Sequence, residues 1–326
     1  MLIDMHTHML SKRWMDLLRE HGKPRYTVAT GNGGRECIEV NGAPFMTPMP
    51  GHFDLNLRLD HMDEYAIDLA IMSLTCPNVY FGDEGASVEA ARTINDDMAD
   101  AQARHPSRLR WLASLPWEYP AAAKQELRRA HRNGAIGVMV LANINGRALT
   151  DPSFATIWQE IDDLALPVLV HPAAPPGADE MGMQQFDLVA SLGFMMDTSL
   201  AFARIFYDGF LDRYPRLKLI APHAGGTLPF IISRLDRCFD KMAACRTNTQ
   251  TRPSDYAQRI WYDAQTYSSE PMEMCLHVAG TDRVMFGSDF PHNIGDTKGF
   301  RDRVDALPAA QALAVRSENA KQLFQL

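Results

Sequence analysis

The sequence predicts an α/β protein, a (β/α)8 TIM barrel. Eight short apolar runs rich in β-formers recur along the 326 residues, and longer stretches with helical spacing separate them. Most runs are continuously apolar instead of alternating, the pattern of strands buried on both faces. A doubly wound open sheet is the rival architecture, but it usually needs fewer strands.

In order, the runs are LIDMH (2–6), DLAIMSL (68–74), LRWLASL (109–115), AIGVMVL (135–141), PVLVH (167–171), LKLIAP (217–222), RIWYDA (259–264) and RVMFGSD (283–289). Helices are expected over SVEAARTINDDMADAQARH (87–105), AAAKQELRRAHRN (121–133) and PSFATIWQEIDDLA (152–165). The last has Asp151 as a cap and Pro152 in its first turn. Residues 23–56 break the rhythm. They are rich in Gly and Pro and carry the turn signals GNGG and VNGAP, which predict a small β-hairpin insertion after the first strand, over the barrel mouth. From about residue 296 the chain reads as helices that close the barrel. The expectation is one barrel domain over 1–326, with the insertion at about 23–56.

Composition narrows the function. Apolar residues make up 46% of the chain, enough for a large core. A formal charge of -8 with no long Lys or Arg run argues against nucleic acid as the main partner. Asp4, His6 and His8 interrupt the early apolar run, so it does not read as a signal peptide. The most apolar segment, 188–210, carries Asp197, Arg204 and Asp208 and reads as buried helix instead of a membrane span. Five scattered cysteines with no CxxC predict a reduced, cytoplasmic protein. GGRECIEVNG lacks the strand–GxGxxG–helix context of a dinucleotide site.

Barrel enzymes place their chemistry at the C-terminal ends of the strands. The first run ends in His6 and His8, two residues apart and so on one strand face. The fifth ends in His171, the sixth in His223 and the eighth in Asp289. HxH alone is weak, His171 alone reads as a core histidine, and GSD alone is an ordinary turn; their joint placement carries the argument. Three imidazoles and a carboxylate (His6, His8, His171, Asp289) suit one borderline divalent ion, Zn2+ first, with Mn, Fe or Co as alternatives. The fourth run ends in Asn143 and Asn145 and offers no bridging Lys or Glu, which favours a single ion. His223 fits proton transfer. His292 reads as a neighbour of the ion site. His21, His105 and His131 read as solvated, and His52, His61 and His277 lack a strand-end position.

At these residues the chain resembles the amidohydrolase superfamily, through DMHTH, LVHP, PHAGG and MFGSDFP in that order. The likeness is strongest to its decarboxylase branch, and it extends to FLDRYPRLKLIAPHAGGTLPFIISRLDR and RPSDYAQRIWYDA. The resemblance implies that His6, His8, His171 and Asp289 bind the metal and that His223 and Asp289 are catalytic. It also implies that Arg234 meets substrate carboxylate across a homodimer interface, where bidentate pairing suits an arginine. One departure matters. VNGAPFMTPM lacks the second substrate-binding arginine that the resemblance implies for the branch's semialdehyde-acting members, and Arg58 lies further on at a helical position. This weighs against a muconate semialdehyde and favours a less charged aromatic or heterocyclic acid. Trp14, Phe45, Phe53 and Phe290 are the aromatics expected at such a substrate.

The resulting expectation is a metal-dependent, non-oxidative decarboxylase of a small carboxylic acid, with no organic cofactor. A hydrolase or hydratase acting on an amide, lactone or C=C bond is the alternative on the same ligand set. A non-catalytic metal-binding protein is the reading from a different class.

Overall fold

The computed structural model describes residues 1–31 and 34–326. Eight parallel strands follow one another in chain order: Ile3–His8, Leu69–Ser73, Leu109–Ala113, Gly137–Leu141, Pro167–His171, Lys218–Ala221, Trp261–Asp263 and Val284–Met285. The ends of this sheet meet. Thr7 forms a parallel bridge with Phe290. The Met5 amide donates to the Phe286 carbonyl at 3.0 Å, Asp289 to His6 at 2.8 Å and His8 to Phe290 at 2.7 Å. The eighth run is regular over only two residues, and further on the left-handed backbone of Asp289 (φ 58°) turns the chain out of extended geometry.

The continuous apolar runs are buried on both faces, as their composition implies. Val138, Met139, Val140, Val168, Leu169 and Val170 are fully buried. Each such side chain contributes about 1.5–3 kcal/mol through burial. Outside the strands, Trp158 packs 4.7 Å from Trp117 and 5.2 Å from Phe210, centroid to centroid. Its indole N–H donates to the Leu149 carbonyl at 2.8 Å. Truncating it to alanine would cost about 3–5 kcal/mol.

Helices occupy Glu84–Arg104, Pro120–Arg132 and Ala155–Leu164, the three stretches with helical spacing. Asp151 accepts the Ser153 amide, two residues on, at 2.9 Å and so caps the turn Pro152–Phe154 that opens the third of these. Helices Thr297–Asp305, Ala309–Leu313 and Asn319–Phe324 end the chain. Gln185–Tyr207 is long and apolar enough to cross a bilayer by length and composition. In this fold it packs on the barrel through Phe202, Ile205 and Phe206 and buries Asp197.

The insertion differs from the expected hairpin. It follows the first helix, Lys12–His21, and is a three-stranded antiparallel sheet of Tyr26–Thr30, Glu36–Val40 and Ala43–Met46. The third strand is short and contains Pro44, so its pattern reads as loop. Asn41 and Gly42 (φ 51° and 80°) turn the last two strands, as VNGAP predicts. The GNGG signal falls partly outside the described residues. The Asn41 amide donates to Asp179 at 3.2 Å, tying this sheet to the loop after the fifth strand.

Candidate metal centre and its cavity

Histidines from the first and fifth strands point their outer nitrogens at a common place. Each ring spends its Nδ1 proton on a buried acceptor. His6 donates to Asp263 at 2.8 Å, His8 to the Leu74 carbonyl at 3.1 Å and His171 to the Pro172 carbonyl at 2.9 Å. The tautomers so selected leave three Nε2 lone pairs facing inward. His6 Nε2 and His8 Nε2 stand 3.1 Å apart, and in these tautomers both are acceptors. Asp289 Oδ1 is 2.9 Å from the second and 3.4 Å from the first.

This crowding of lone pairs is what a cation would resolve. Two ligands at about 2.1 Å from one ion, subtending 90–109°, lie roughly 3.0–3.4 Å apart. One ligand atom each from His6, His171, His223 and Asp289 lies within 4.8 Å of the others, as does one each from His8, Asp289 and His292. The donor set therefore fits a divalent ion.

The electrostatics of His8, His171 and Asp289 are consistent with this. Burial keeps His8 neutral, its pKa pushed down to about 3, and burial with His8 and His6 nearby holds His171 well below the usual range. Burial opposes ionisation of Asp289, but His292, His223 and His8 outweigh it and keep the carboxylate charged. Burial also works against protonation of His6, yet the Asp263 hydrogen bond and Asp289 raise its pKa.

His223 begins a strained turn. It and Ala224 have φ of 54° and 52°. The following glycines are required by space: a Cβ on Gly225 would meet the Tyr262 ring at 2.8 Å, and one on Gly226 the Met195 carbonyl at 2.6 Å. The turn leaves His223 Nε2 3.9 Å from Asp289 Oδ2 and its buried Nδ1 with no partner.

A cavity of about 1090 Å3 opens on this centre. His171, His223, Asp289 and His292 line its polar end, and Phe45, Met46 and Phe194 line its apolar side. Among the described residues that line it there is no lysine or arginine.

A family model described as amidohydrolase matches residues 3–326. The chain belongs to the amidohydrolase family. Its relatives in this family include the 2-amino-3-carboxymuconate-6-semialdehyde decarboxylase of Dictyostelium discoideum, 28% identical over 299 residues, spanning 90% of this chain and 82% of that protein. The gamma-resorcylate decarboxylase of Rhizobium radiobacter is 28% identical over 283 residues, 82% of this chain and 86% of its own. The fold is shared with a 5-carboxyvanillate decarboxylase of Novosphingobium aromaticivorans, solved with bound manganese, at a TM-score of 0.85 and 22% identity over 100% of this chain and 96% of that one.

Of the residues expected at the site, His6, His8, His171, His223, Asp289 and His292 come together. Phe290 does not join the cavity wall. Its ring stacks on His61 at 4.0 Å, with the Arg58 guanidinium 5.2 Å from its centroid. Trp14 is fully buried core, set edge-on to Phe81, and Phe53 packs on the core. Only Phe45 of the four aromatics lines the cavity. Arg234 is exposed on the helix Leu228–Lys241 and lies outside the lining.

Four supporting residues were not foreseen. Asp263 orients His6 and also accepts the Ala224 and Gln265 amides at 3.0 and 3.1 Å. Asp4 accepts the Ser288 hydroxyl at 2.5 Å and amide at 3.0 Å, clasping the first strand to the Asp289 loop; burial raises its pKa to about 6. Arg58, also buried, donates to Thr7 Oγ1 at 3.0 Å and to the His8 carbonyl. Asp197 accepts the Ala173 amide at 2.9 Å and the Asn143 amide at 3.0 Å, holding the turn after His171. The available signal was strongest for Asp263, a carboxylate ending a predicted strand.

Proposed function

We propose that this chain is a metal-dependent, non-oxidative decarboxylase, a carbon–carbon lyase acting on an aromatic, heterocyclic or unsaturated carboxylic acid. The observation that carries the reading is the convergence of three imidazole Nε2 atoms and one ionised carboxylate at the polar end of an otherwise apolar cavity. The decarboxylase names of relatives spanning over four-fifths of the chain support it.

His6, His8, His171 and Asp289 would hold one divalent ion. When bound, the ion supplies positive charge that fixes substrate oxygens and stabilises negative charge developing during the reaction. Zinc suits three nitrogens and one oxygen; the manganese-bound neighbour keeps manganese as the alternative.

His223, with Asp289 beside it, would deliver a proton to the carbon that bears the carboxylate. A new C–H bond forms there. The C–C bond to the carboxylate then breaks, its electron pair restores the ring or alkene, and carbon dioxide leaves. The apolar walls exclude water from the reacting carbon and strengthen the electrostatics of the polar end. His292 stands at this end, its ring 4.9 Å from that of His8, where it can contact substrate. Arg234 can act on substrate only if a homodimer partner brings it to the site. Five free cysteines fit a reducing, cytoplasmic setting.

The test is carbon dioxide release by metal-loaded protein on a panel of hydroxybenzoic, heterocyclic and unsaturated acids. Turnover of at least one acid is expected. Turnover of lactones, amides or double-bond hydration with none of the acids decarboxylated would overturn the proposal in favour of a hydrolase or hydratase.

A further inference from the structure

The cavity is larger than the chemistry at its polar end requires. At about 1090 Å3 it slightly exceeds the ~300–1,000 Å3 of pockets that enclose a whole drug-sized molecule. A single ring with one carboxylate fills a small part of that. The remainder has a definite character. From His171 the wall continues to Phe194, ring centroids 6.4 Å apart, and then to Phe45 of the inserted sheet, another 6.2 Å on. Beside these rings Met183 and Val189 also line the cavity and belong to a small apolar cluster separate from the barrel core. Phe45 and Phe194 are only partly buried, so this wall presents apolar surface to the cavity.

Charge limits what this arm accepts. No lysine or arginine lines the cavity among the described residues, while Asp187 and Glu270, both exposed, do. A second carboxylate on the substrate would find no cation from this chain and would face two acids. A neutral apolar group loses nothing there and is removed from water.

We infer that the substrate is an aromatic acid with a single carboxylate, carrying an apolar substituent longer than a methyl group that lies along Phe194 toward Phe45. This rests on the decarboxylase reading for the carboxylate end. The arm itself is defined by the inserted sheet and by the segment after the fifth strand.

The probes are 2-hydroxybenzoic acids bearing hydrogen, methyl, propyl or pentyl at ring position 4 or 6. Dissociation constants come from calorimetry on the metal-loaded protein, and carbon dioxide release is measured in parallel. In one of the two positional series, affinity is expected to rise about fourfold per methylene, ~60-fold from hydrogen to propyl. Ala190, half-buried in the cavity wall, tests the location. Ala190→Trp is expected to cut the propyl-to-hydrogen affinity ratio at least tenfold, with a thermal midpoint near that of the parent showing that the variant is folded. If that variant does not fold, Ala190→Leu is expected to lower the pentyl-to-propyl ratio. Flat or falling affinity with chain length in both series, or no binding of any acid, overturns the inference. So does a diacid such as 5-carboxysalicylic acid binding more tightly than the pentyl acids. Rising affinity without carbon dioxide release supports the apolar arm and refutes decarboxylation; release with flat affinity does the reverse.

Discussion

Asp263→Asn isolates the part of the centre that acts through a ligand without being one. The substitution is isosteric, and its consequence follows from counting donors. Asp263 Oδ2 accepts from His6 Nδ1 at 2.8 Å, and Oδ1 accepts two backbone amides at 3.0 and 3.1 Å. An asparagine cannot serve all three. With its oxygen toward the amides, its NH2 faces His6 Nδ1, which must become an acceptor. The ring proton then moves to Nε2, where the ion would bind. With the amide flipped, the NH2 meets two N–H donors instead. Either way one or two buried interactions are lost, one of them to a charged group. Such a bond contributes about 1.5–3 kcal/mol, which corresponds to ~10–150-fold in affinity. Measured second-layer effects on metal affinity fall in the same range, about 10–100-fold. Competition against a chromophoric chelator would report it, with circular dichroism verifying the fold. The double variant with His6→Ala should bind no more weakly than His6→Ala alone. Metal affinity in Asp263→Asn within twofold of the parent would refute the tautomer argument.

Three other outcomes are expected. Removal of the ion by a chelator should lower the thermal midpoint and abolish turnover, with both restored by zinc or manganese, because binding to the folded state alone stabilises it; a midpoint insensitive to chelation would count against a site joining the barrel's ends. His223→Gln should retain the ion by elemental analysis while kcat falls about 10²–10⁴-fold; unchanged turnover would remove His223 from proton transfer. Burial raises the Asp197 carboxyl to about 7. Its unfolded value is about 3.9, so the folded protein holds an extra proton between these limits. The stability contributed by that proton is full at low pH and is lost as pH rises from about 4 to 7. In Asp197→Ser, urea melts from pH 5 to 7 should therefore show a stability slope less negative than the parent's, and identical slopes would contradict the assignment.

Much of this architecture was legible because burial on both faces writes itself as continuous apolar runs. The six groups that meet at the centre were legible for a related reason. Polar residues ending such runs have nowhere to go but the barrel mouth. Proximity alone was a poorer guide. Phe290 adjoins Asp289, but the left-handed backbone there separates the two side chains, and the ring joins His61 and Arg58. Asp263 ended a predicted strand, but nothing in its spacing told that it would reach His6, 257 positions away. Arg58 and His52 were invisible for the opposite reason. His52 has no strand-end position and Arg58 falls at a helical one, and only tertiary packing buries them against His292 and the first strand's end. The third strand of the insertion was hidden by its proline and its brevity.

His8 Nε2 and Asp289 Oδ1, 2.9 Å apart, come from residues 281 positions apart in the chain. During synthesis, at ~5–20 residues per second, the first imidazoles emerge roughly 15–60 s before the carboxylate that completes their set. No nascent chain can capture the cation with its full coordination until the last strand has left the ribosome. Loading is thereby deferred to the finished polypeptide, and a prematurely terminated product is left without a competent centre.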